Sequence, residues 1–497
     1  MEKLIKLLKK KAPDFIQEFY IVGGFVRDFY LKVVDYNDID IIWPVTEFEI
    51  EKYFKKSFLV KDRTKTFVSP FFFESKKIKL EITPLRHNSI EADLLSRDLT
   101  INSIAIKISK CDDTLIWIDP AGGRDDIRHG ILRCWDENNL LEDPLRMLRI
   151  FRFQSKYNYE IDSYTFNSIV KHRMMIRLSP KEMIYSELQK TFEGPYCETA
   201  FRNMAKTGLL QEIIPEMREI ITFRHGDQHH KGETVFEHSL CVLKNCLQKN
   251  LETNFRIAAL FHDLKKPDVF DGKHYLFHET ESAKATENIL ESLKFPRKNI
   301  NEVATIIKFH MIPLESQKKL YEMRYILGKE RFLKQIDFII SDKSATDTGW
   351  TNSNQFLKFS SLSDKILNSD DFFETMDFLI NGDMLLSIGL KESIGIKKIL
   401  NYLRGYFFKN PDNLSEMKIR TILENNLKYR ESYREMLFGR VFHKRKREYV
   451  KDDLIVGILE TGEKISFKTG IFEYTYLTEG EFKNWLLKNE KEYSLFF

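Results

Sequence analysis

Two different spacings of apolar residues divide this chain. From about residue 15 to residue 133, short β-rich runs alternate with turns. Phe19 to Val22 predicts a strand ended by Gly23-Gly24, and Phe25 to Tyr30 the helix that follows. Ile39 to Trp43, Ser57 to Val60, Phe67 to Phe73 and Ile78 to Ile82 predict further strands, while Thr100 to Ile108 fits either period. After Asp119-Pro120-Ala121-Gly122-Gly123 the pattern changes. Long segments of helical period run from Asn139 to about Gln335, punctuated by Ser179-Pro180, Gly194-Pro195, Gly208 and Pro215, and helix continues to roughly Arg430. Leu454 to Phe467 predicts a hairpin around Gly462, and no internal repeat is evident. The fold class expected is multidomain α+β: a mixed-sheet head followed by a largely helical body.

Composition narrows the function classes. A chain of 497 residues corresponds to about three domains at roughly 150 residues each. With 42% hydrophobic and 31% charged residues it is an ordinary folded chain, and no run approaches the ~18 apolar residues of a membrane span. Met1 to Lys11 holds five Lys but no long apolar region, which argues against a secretory signal. The five cysteines (Cys111, Cys134, Cys197, Cys241 and Cys246) form no CxxC pair, so a reducing, cytoplasmic location is expected. A net charge of +4 gives no general polyanion affinity, so any nucleic-acid contact must be local. Nothing in the sequence specifies an oligomeric state.

The first chemical signal is Gly23-Gly24-Phe25-Val26-Arg27-Asp28, followed by Asp38-Ile39-Asp40. Paired glycines between strand and helix let backbone N–H groups approach an anion. Strand alternation puts Asp38 and Asp40 on one face, and two hard oxygen ligands that close suit Mg²⁺ bridging to phosphates. Glu81, within Lys79-Leu80-Glu81-Ile82, is a third candidate, because a carboxylate among apolar neighbours is costly to bury unless paired or metal-bound. Taken singly, a glycine pair or an Asp-x-Asp is common; the ordered set carries the argument.

Further elements extend it: Arg97-Asp98-Leu99-Thr100-Ile101-Asn102-Ser103, Asp119-Pro120-x-Gly122-Gly123-x-x-Asp126, and Glu142-Asp143-Pro144-Leu145-Arg146-Met147-Leu148-Arg149-x-x-Arg152-Phe153. Together with the glycine turn and Asp38-x-Asp40, this series resembles the bacterial class II tRNA nucleotidyltransferase (CCA-adding enzyme)/poly(A) polymerase family. The resemblance covers about residues 15 to 430. It implies a nucleotidyltransferase head with Asp38 and Asp40 as ligands for catalytic Mg²⁺, Glu81 ordering the acidic centre or helping to accept the proton, and a growing RNA 3′ end as acceptor.

The resemblance also implies nucleotide contacts for Gly23, Gly24, Arg27, Arg97, Asp98, Asn102, Glu142, Asp143, Arg146, Arg149 and Arg152. Glu142 to Phe153 predicts a single helix on which Glu142, Arg146 and Arg149 fall within about 60° of one another. A solvated, salt-bridged face is the bland alternative. In the family, the Glu-Asp-x-x-Arg element reads the incoming base. Asp143 offers acceptors for an exocyclic amino group and Arg146 fixed donors for a ring nitrogen or carbonyl, a pattern common to C and A. Two departures stand out: Ser96 where the family commonly has Arg, and Met183 after Glu182 where it usually has Glu-Arg. Lys61 to Lys77 is either the flexible specificity loop of the family or an ordinary hairpin.

A second signal is histidine-rich. Eight of the twelve His (His225, His229, His230, His238, His262, His274, His278 and His310) fall between 225 and 310. His238, His262-Asp263, His310 and Asp342 are the leading metal set, with Lys266 placed to neutralise a phosphate. Imidazole plus carboxylate suits Mn²⁺, Fe²⁺, Co²⁺ or Ni²⁺, with Mg²⁺ as a further candidate. Phe261-His262-Asp263-Leu264-Lys265-Lys266-Pro267 resembles an HD-type phosphohydrolase domain, which implies His238, His262, Asp263 and Asp342 as metal ligands, Lys266, His278 and His310 as accessories, and phosphodiesterase or phosphatase chemistry or a purely structural site. The expected boundaries are 1–138 for the head, 139–222 for nucleotide selection and RNA binding, 223–350 for the HD domain, 351–430 for a helical body and 431–497 for a basic extension containing Lys444-Arg445-Lys446-Arg447.

The leading expectation is addition of CCA, or part of it, to tRNA from CTP and ATP. Within the family, CC-adding, A-adding and poly(A) polymerase activities share the same motifs. From other classes, an HD phosphohydrolase with an RNA-binding head and a non-catalytic RNA scaffold are the alternatives.

Overall fold

The computed structural model describes residues 2–33, 38–45, 49–50, 58–61, 66–73, 76–112, 114–224, 233–346, 349–387, 394–426, 456–458 and 464–466. His225, His229, His230 and the basic run at 444–447 lie outside them. The described chain divides into two compact units, one of residues 1–311 with 337–351, the other of residues 312–336 with 352–497.

The first unit opens with a seven-stranded sheet of order β3-β4-β5-β2-β1-β6-β7. Its strands are β1 (Glu18–Val22), β2 (Asp38–Trp43), β3 (Phe58–Lys61), β4 (Thr66–Phe73), β5 (Lys76–Pro84), β6 (Ala105–Ser109) and β7 (Leu115–Ile118). All neighbours are antiparallel except β2 and β5, which run parallel. Alternation gives the sheet two unlike faces. Phe19, Ile21, Ile39, Ile41, Leu80, Ile82 and Ile106 build the main core, together with Phe25 and Val26 of the helix Gly24–Tyr30. Tyr20, Val22, Ile42 and Ala105 point the other way and meet Ile90 and Leu94 of the helix Ile90–Leu95 in a smaller cluster. Asp38 and Asp40 share this second face, beside a cluster too small to cover them.

Thr100 to Ile108 resolves into both structures that its pattern allowed: a 3₁₀ turn at Thr100–Asn102, then β6. Within Lys61 to Lys77, the described residues 66–73 and 76–77 pair as a hairpin, β4 with β5 from Phe67↔Ile82 to Phe73↔Lys76, while 62–65 and 74–75 lie outside the described residues. Gly123 explains the Asp119-to-Asp126 element as packing. A Cβ there would stand 2.1 Å from the Thr100 carbonyl oxygen, while Asp119 accepts hydrogen bonds from the Gly123 and Arg124 amides at 2.7 and 2.9 Å. Thr100 in turn donates to Asp126 at 2.6 Å.

The rest of this unit is helical. Leu145–Tyr157 and Lys181–Glu193 bury Leu148, Phe151, Ile184 and Leu188 in the same core as Val235–Gln248, Thr253–Phe261 and Arg297–Lys308. The second unit contains the helices Gln317–Leu327, Asn354–Leu367, Asp370–Leu379 and Ile394–Lys409. Among them, Tyr321 packs edge-on to Phe372 with ring centroids 4.9 Å apart. The predicted hairpin near Gly462 is present as Val456–Ile458 paired antiparallel with Lys464–Ser466. Among the described residues, no helix is long and apolar enough to cross a membrane.

Candidate catalytic and metal centres

Strand register assembles the head's acidic centre. In the parallel pair, Asp38 lies opposite Lys79 and Asp40 opposite Glu81, so all four side chains share one face. Asp38 is exposed, Asp40 half-buried and Glu81 buried. Lys79 Nζ stands 2.5 Å from Glu81 Oε1. The ammonium is held above its ordinary pKa, first by the hydrogen bond to Glu81 and then by the charges of Asp38 and Asp40, against the opposing effect of partial burial.

Gly23 closes the centre from β1. Its φ of +72° is in the left-handed half that favours glycine, and a Cβ there would lie 2.8 Å from Asp40 Oδ2 and 3.2 Å from Arg97 Nη1. The turn therefore brings Asp40 and Arg97 against a bare backbone.

Of the residues expected to contact nucleotide, Arg27, Asn102, Asp98 and Arg149 form one hydrogen-bonded chain, and others are engaged with protein separately. Arg27 donates Nε to Asp28 at 2.9 Å and Nη1 to Asn102 at 2.6 Å, and its guanidinium lies 5.1 Å from the Phe153 ring centroid. Asn102 donates to Asp98 Oδ1 at 3.0 Å, and Arg149 Nε to Asp98 Oδ2 at 2.7 Å. Burial pushes the Asp98 carboxyl up, but Arg149 outweighs it and, with Asn102 and Arg152, holds the group well below the carboxylate range. Arg152 Nη1 meets Glu187 at 3.0 Å. Arg97 reaches buried Asp93 at 3.5 Å, which Arg86 also binds at 2.9 Å.

One expectation is corrected. Glu142 to Phe153 is not a single helix: Asn138–Glu142 ends, Asp143 is extended at φ −143° and ψ 92°, and a new helix begins at Leu145. The Pro144 ring disfavours helical backbone at the residue before it, so Asp143 leaves the helix. Its Oδ1 instead accepts from the Leu145 amide at 3.2 Å, capping the new helix. Arg146 remains near the break, donating Nη1 to the carbonyls of Ser96 at 2.9 Å and Asn139 at 3.0 Å. Ser96, where the family commonly has Arg, contributes that carbonyl. Glu142 is exposed and stands 3.9 Å from Arg146.

The histidine set converges completely. His238, His262, Asp263, His278, His310 and Asp342 are all buried and come from five places along the first unit, His262 and Asp263 together ending the helix Thr253–Phe261. Three groups of potential ligands have donor atoms within 4.8 Å of one another: His238, His262 and Asp263; His262, His310 and Asp342; and Asp263, His278 and His310. Asp263 joins them. Its Oδ2 lies 3.1 Å from His262 Nε2 and 2.7 Å from Lys266 Nζ, and its Oδ1 lies 3.3 Å from His278 Nε2. Asp342 Oδ1 approaches His238 Nε2 at 3.0 Å and His262 Nε2 at 3.4 Å.

Backbone carbonyls fix the direction of three rings. His262, His278 and His310 each place Nδ1 on the carbonyl three residues earlier, at 3.0, 2.7 and 2.6 Å. A carbonyl only accepts, so Nδ1 carries a proton and Nε2 faces inward, where the neutral ring offers its lone pair, an arrangement common to metal-binding imidazoles. His278 and His310 then bring their Nε2 atoms within 3.3 Å, a repulsive pair unless a cation or shared proton lies between. His262 Nε2 and both oxygens of Asp263 are buried without a well-formed hydrogen bond. These features fit a metal cradle. Burial pushes His238 down to about 4, despite Asp342. Burial also opposes charge on His262, yet Asp263 and Asp342 overcome it and raise this ring to about 10.

Lys79 shares this acidic face although no motif marks it. Its position two residues before Glu81 on a strand was the available signal.

Comparisons with known proteins agree with this layout. Residues 19–133 match the poly A polymerase head domain, residues 158–221 the probable RNA and SrmB-binding site of polymerase A, and residues 235–342 the HD domain. A CC-adding tRNA nucleotidyltransferase of Shouchella clausii is 34% identical over 197 residues, covering 39% of this chain and 50% of that protein. An A-adding tRNA nucleotidyltransferase of Deinococcus radiodurans is 28% identical over 283 residues, covering 54% of this chain and 63% of that one. The chain thus spans between half and two thirds of the length of these two relatives. The Bacillus stearothermophilus CCA-adding enzyme in complex with CTP has the same fold, with a TM-score of 0.60 at 22% identity over 86% of this chain and 97% of that one. In chain order, then, this protein carries a poly A polymerase head domain, an RNA-binding segment and an HD domain, the domain series shared with tRNA nucleotidyltransferases and poly(A) polymerases.

Proposed function

We propose that this protein is a template-independent nucleotidyltransferase that adds CCA, or part of it, to tRNA 3′ ends from CTP and ATP. The observation that carries this reading is the register placing Asp38, Asp40 and Glu81 on one open sheet face, with Asp40 packed against Gly23. In the reaction, the terminal 3′-hydroxyl oxygen bonds to the α-phosphorus, the bond to the β-phosphate's bridging oxygen breaks, and pyrophosphate leaves with that electron pair. The hydroxyl proton passes to water or to Glu81.

Asp38 and Asp40 would hold Mg²⁺, which when bound lowers the charge barrier to attack and steadies the leaving group. The chain's own residues supply orientation. Gly23 lets phosphate approach the backbone, Arg97 and the Arg149–Arg152 face provide positive charge, and Asp93, Asp98 and Glu187 hold Arg97, Arg149 and Arg152 in place respectively. The break at Asp143-Pro144 frees Asp143 from the helix face that carries Arg146. An Asp acceptor and an Arg donor together match the amino group and ring nitrogen of C and of A, and leave U with unpaired groups.

Purified protein given tRNA ending before CCA, after C or after CC, with each nucleotide separately, tests the assignment. Incorporation of both CTP and ATP supports it; CTP alone or ATP alone points to a CC- or A-adding enzyme, and open-ended ATP addition to a poly(A) polymerase. No incorporation with any of them overturns it.

The HD centre favours a second activity, phosphate release from 2′,3′-cyclic or terminal phosphates, through a metal held by His238, His262, Asp263 and Asp342. His278, His310 and the second oxygen of Asp263 are arranged for an additional ion, and Lys266 for a phosphate oxygen. Loss of phosphate release in His262→Ala, with nucleotide incorporation retained, is the expected result.

A further inference from the structure

We propose that Lys79 is a resident counter-cation of the head's acidic centre: it pins Glu81 by an ion pair and sets how tightly Asp38 and Asp40 take a divalent cation. The proposal rests on the reading of those two aspartates as metal ligands. Its basis is the parallel register, in which Lys79 lies beside Asp38 while Glu81 lies beside Asp40. Residues two apart on a strand point the same way, so the ammonium and three carboxylates occupy one patch. Nζ lies 2.5 Å from Glu81 Oε1.

An ordinary surface ion pair contributes little. This one differs because its acidic member is buried, with Glu81 only 8% exposed, and a buried carboxylate must be compensated. Arg97 approaches the same patch from the Gly23 side, but it is also engaged by Asp93.

The charge arithmetic gives the function. Three carboxylates and one ammonium leave two negative charges, which one divalent ion neutralises. Without Lys79 the patch carries three, attracts a divalent ion more strongly, and frees Glu81 to compete for it. Lys79 therefore trades metal affinity for a fixed division of labour, with Glu81 held aside and the two aspartates left for the ion.

The test is a Mn²⁺ titration of the nucleotide-free full chain read by paramagnetic resonance. The isotherm of the Asp38→Asn/Asp40→Asn protein is subtracted to remove binding at the histidine centre. Lys79→Met is expected to lower the apparent dissociation constant about three- to tenfold while nucleotide incorporation falls. Lys79→Arg should stay near the parent in both. A general lesion would weaken both readouts together, so their opposite movement is the signature. Lys79→Gln, checked by its unfolding midpoint, replaces Lys79→Met if that variant does not fold. Unchanged or weaker Mn²⁺ binding in a folded variant overturns the role. If the parent binds no more Mn²⁺ than the double Asn protein, the aspartate reading itself fails and the role of Lys79 falls with it.

Discussion

At the scale of single residues, Gly23 and Asp40 make a joint demand on the backbone. Gly23→Ala would force a Cβ to within 2.8 Å of the Asp40 carboxylate at a φ of +72°. It should cost about 1–3 kcal/mol of stability and lower nucleotide incorporation by about tenfold or more, measured by melting and by single-turnover assay. Asp98 and Arg149 make an electrostatic demand. Arg149→Met strands a buried carboxylate, with an expected loss of about 1.5–3 kcal/mol near neutral pH. The pH dependence has a definite sign. A carboxyl whose folded pKa is depressed stabilises the fold above its unfolded pKa of about 3.9 and loses that contribution as pH falls. The gap between parent and variant in denaturant titrations should therefore be widest above about pH 4 and narrow in acid.

At the scale of elements, the break at Asp143-Pro144 leaves Asp143 outside the helix Leu145–Tyr157 that carries Arg146, the two residues proposed to read the base. Pro144→Ala removes the ring that keeps Asp143 extended and should let Asn138–Glu142 run on into Leu145–Tyr157. The expected outcome is weaker discrimination of C and A against U in single-nucleotide incorporation, with little loss of stability. A helical period alone could not reveal this break, because the apolar spacing of Leu145, Leu148 and Phe151 continues on its far side. The Asp-Pro dipeptide was the legible signal. Sheet elements were more readable: β1, β2 and β5 follow from alternation, whereas β7, with the short run Leu115–Ile118, was missed.

At the scale of the whole molecule, the head and histidine centres are built from separate parts of the first unit and should titrate separately. Burial keeps His238 neutral against Asp342, whereas at His262 the two aspartates outweigh burial and raise the ring to about 10 in the metal-free protein. A raised pKa stabilises the folded protein fully below the unfolded value near 6.5 and loses that contribution as pH passes through about 10. A metal needs the neutral ring, so loading Mn²⁺ or Ni²⁺ at pH 8 should release about one proton per site. Calorimetry in buffers of different ionisation enthalpy measures it, and no release would contradict the ligand assignment. Metal at about a hundred times its dissociation constant should also stabilise the fold by about 2.7 kcal/mol, with the shift lost in His262→Ala.

The sequence by itself determined which chemistries were available. Asp38-x-Asp40 on a strand fixes a common face because alternation is a property of the backbone, and the glycine turn, the arginine series and the histidine concentration are local spacings readable in one dimension. Tertiary structure decided the rest. Pairing β2 with β5 in parallel register placed Glu81 and Lys79 beside the aspartates. Helix packing brought Asp342 to His238 across 104 positions of chain, and the carbonyls at Ala259, Tyr275 and Ile307 aimed three imidazoles inward. The physical reason is that ion pairing and metal geometry depend on distances of a few ångströms between segments far apart in sequence. Those distances are set by strand register and core packing, which no local spacing encodes.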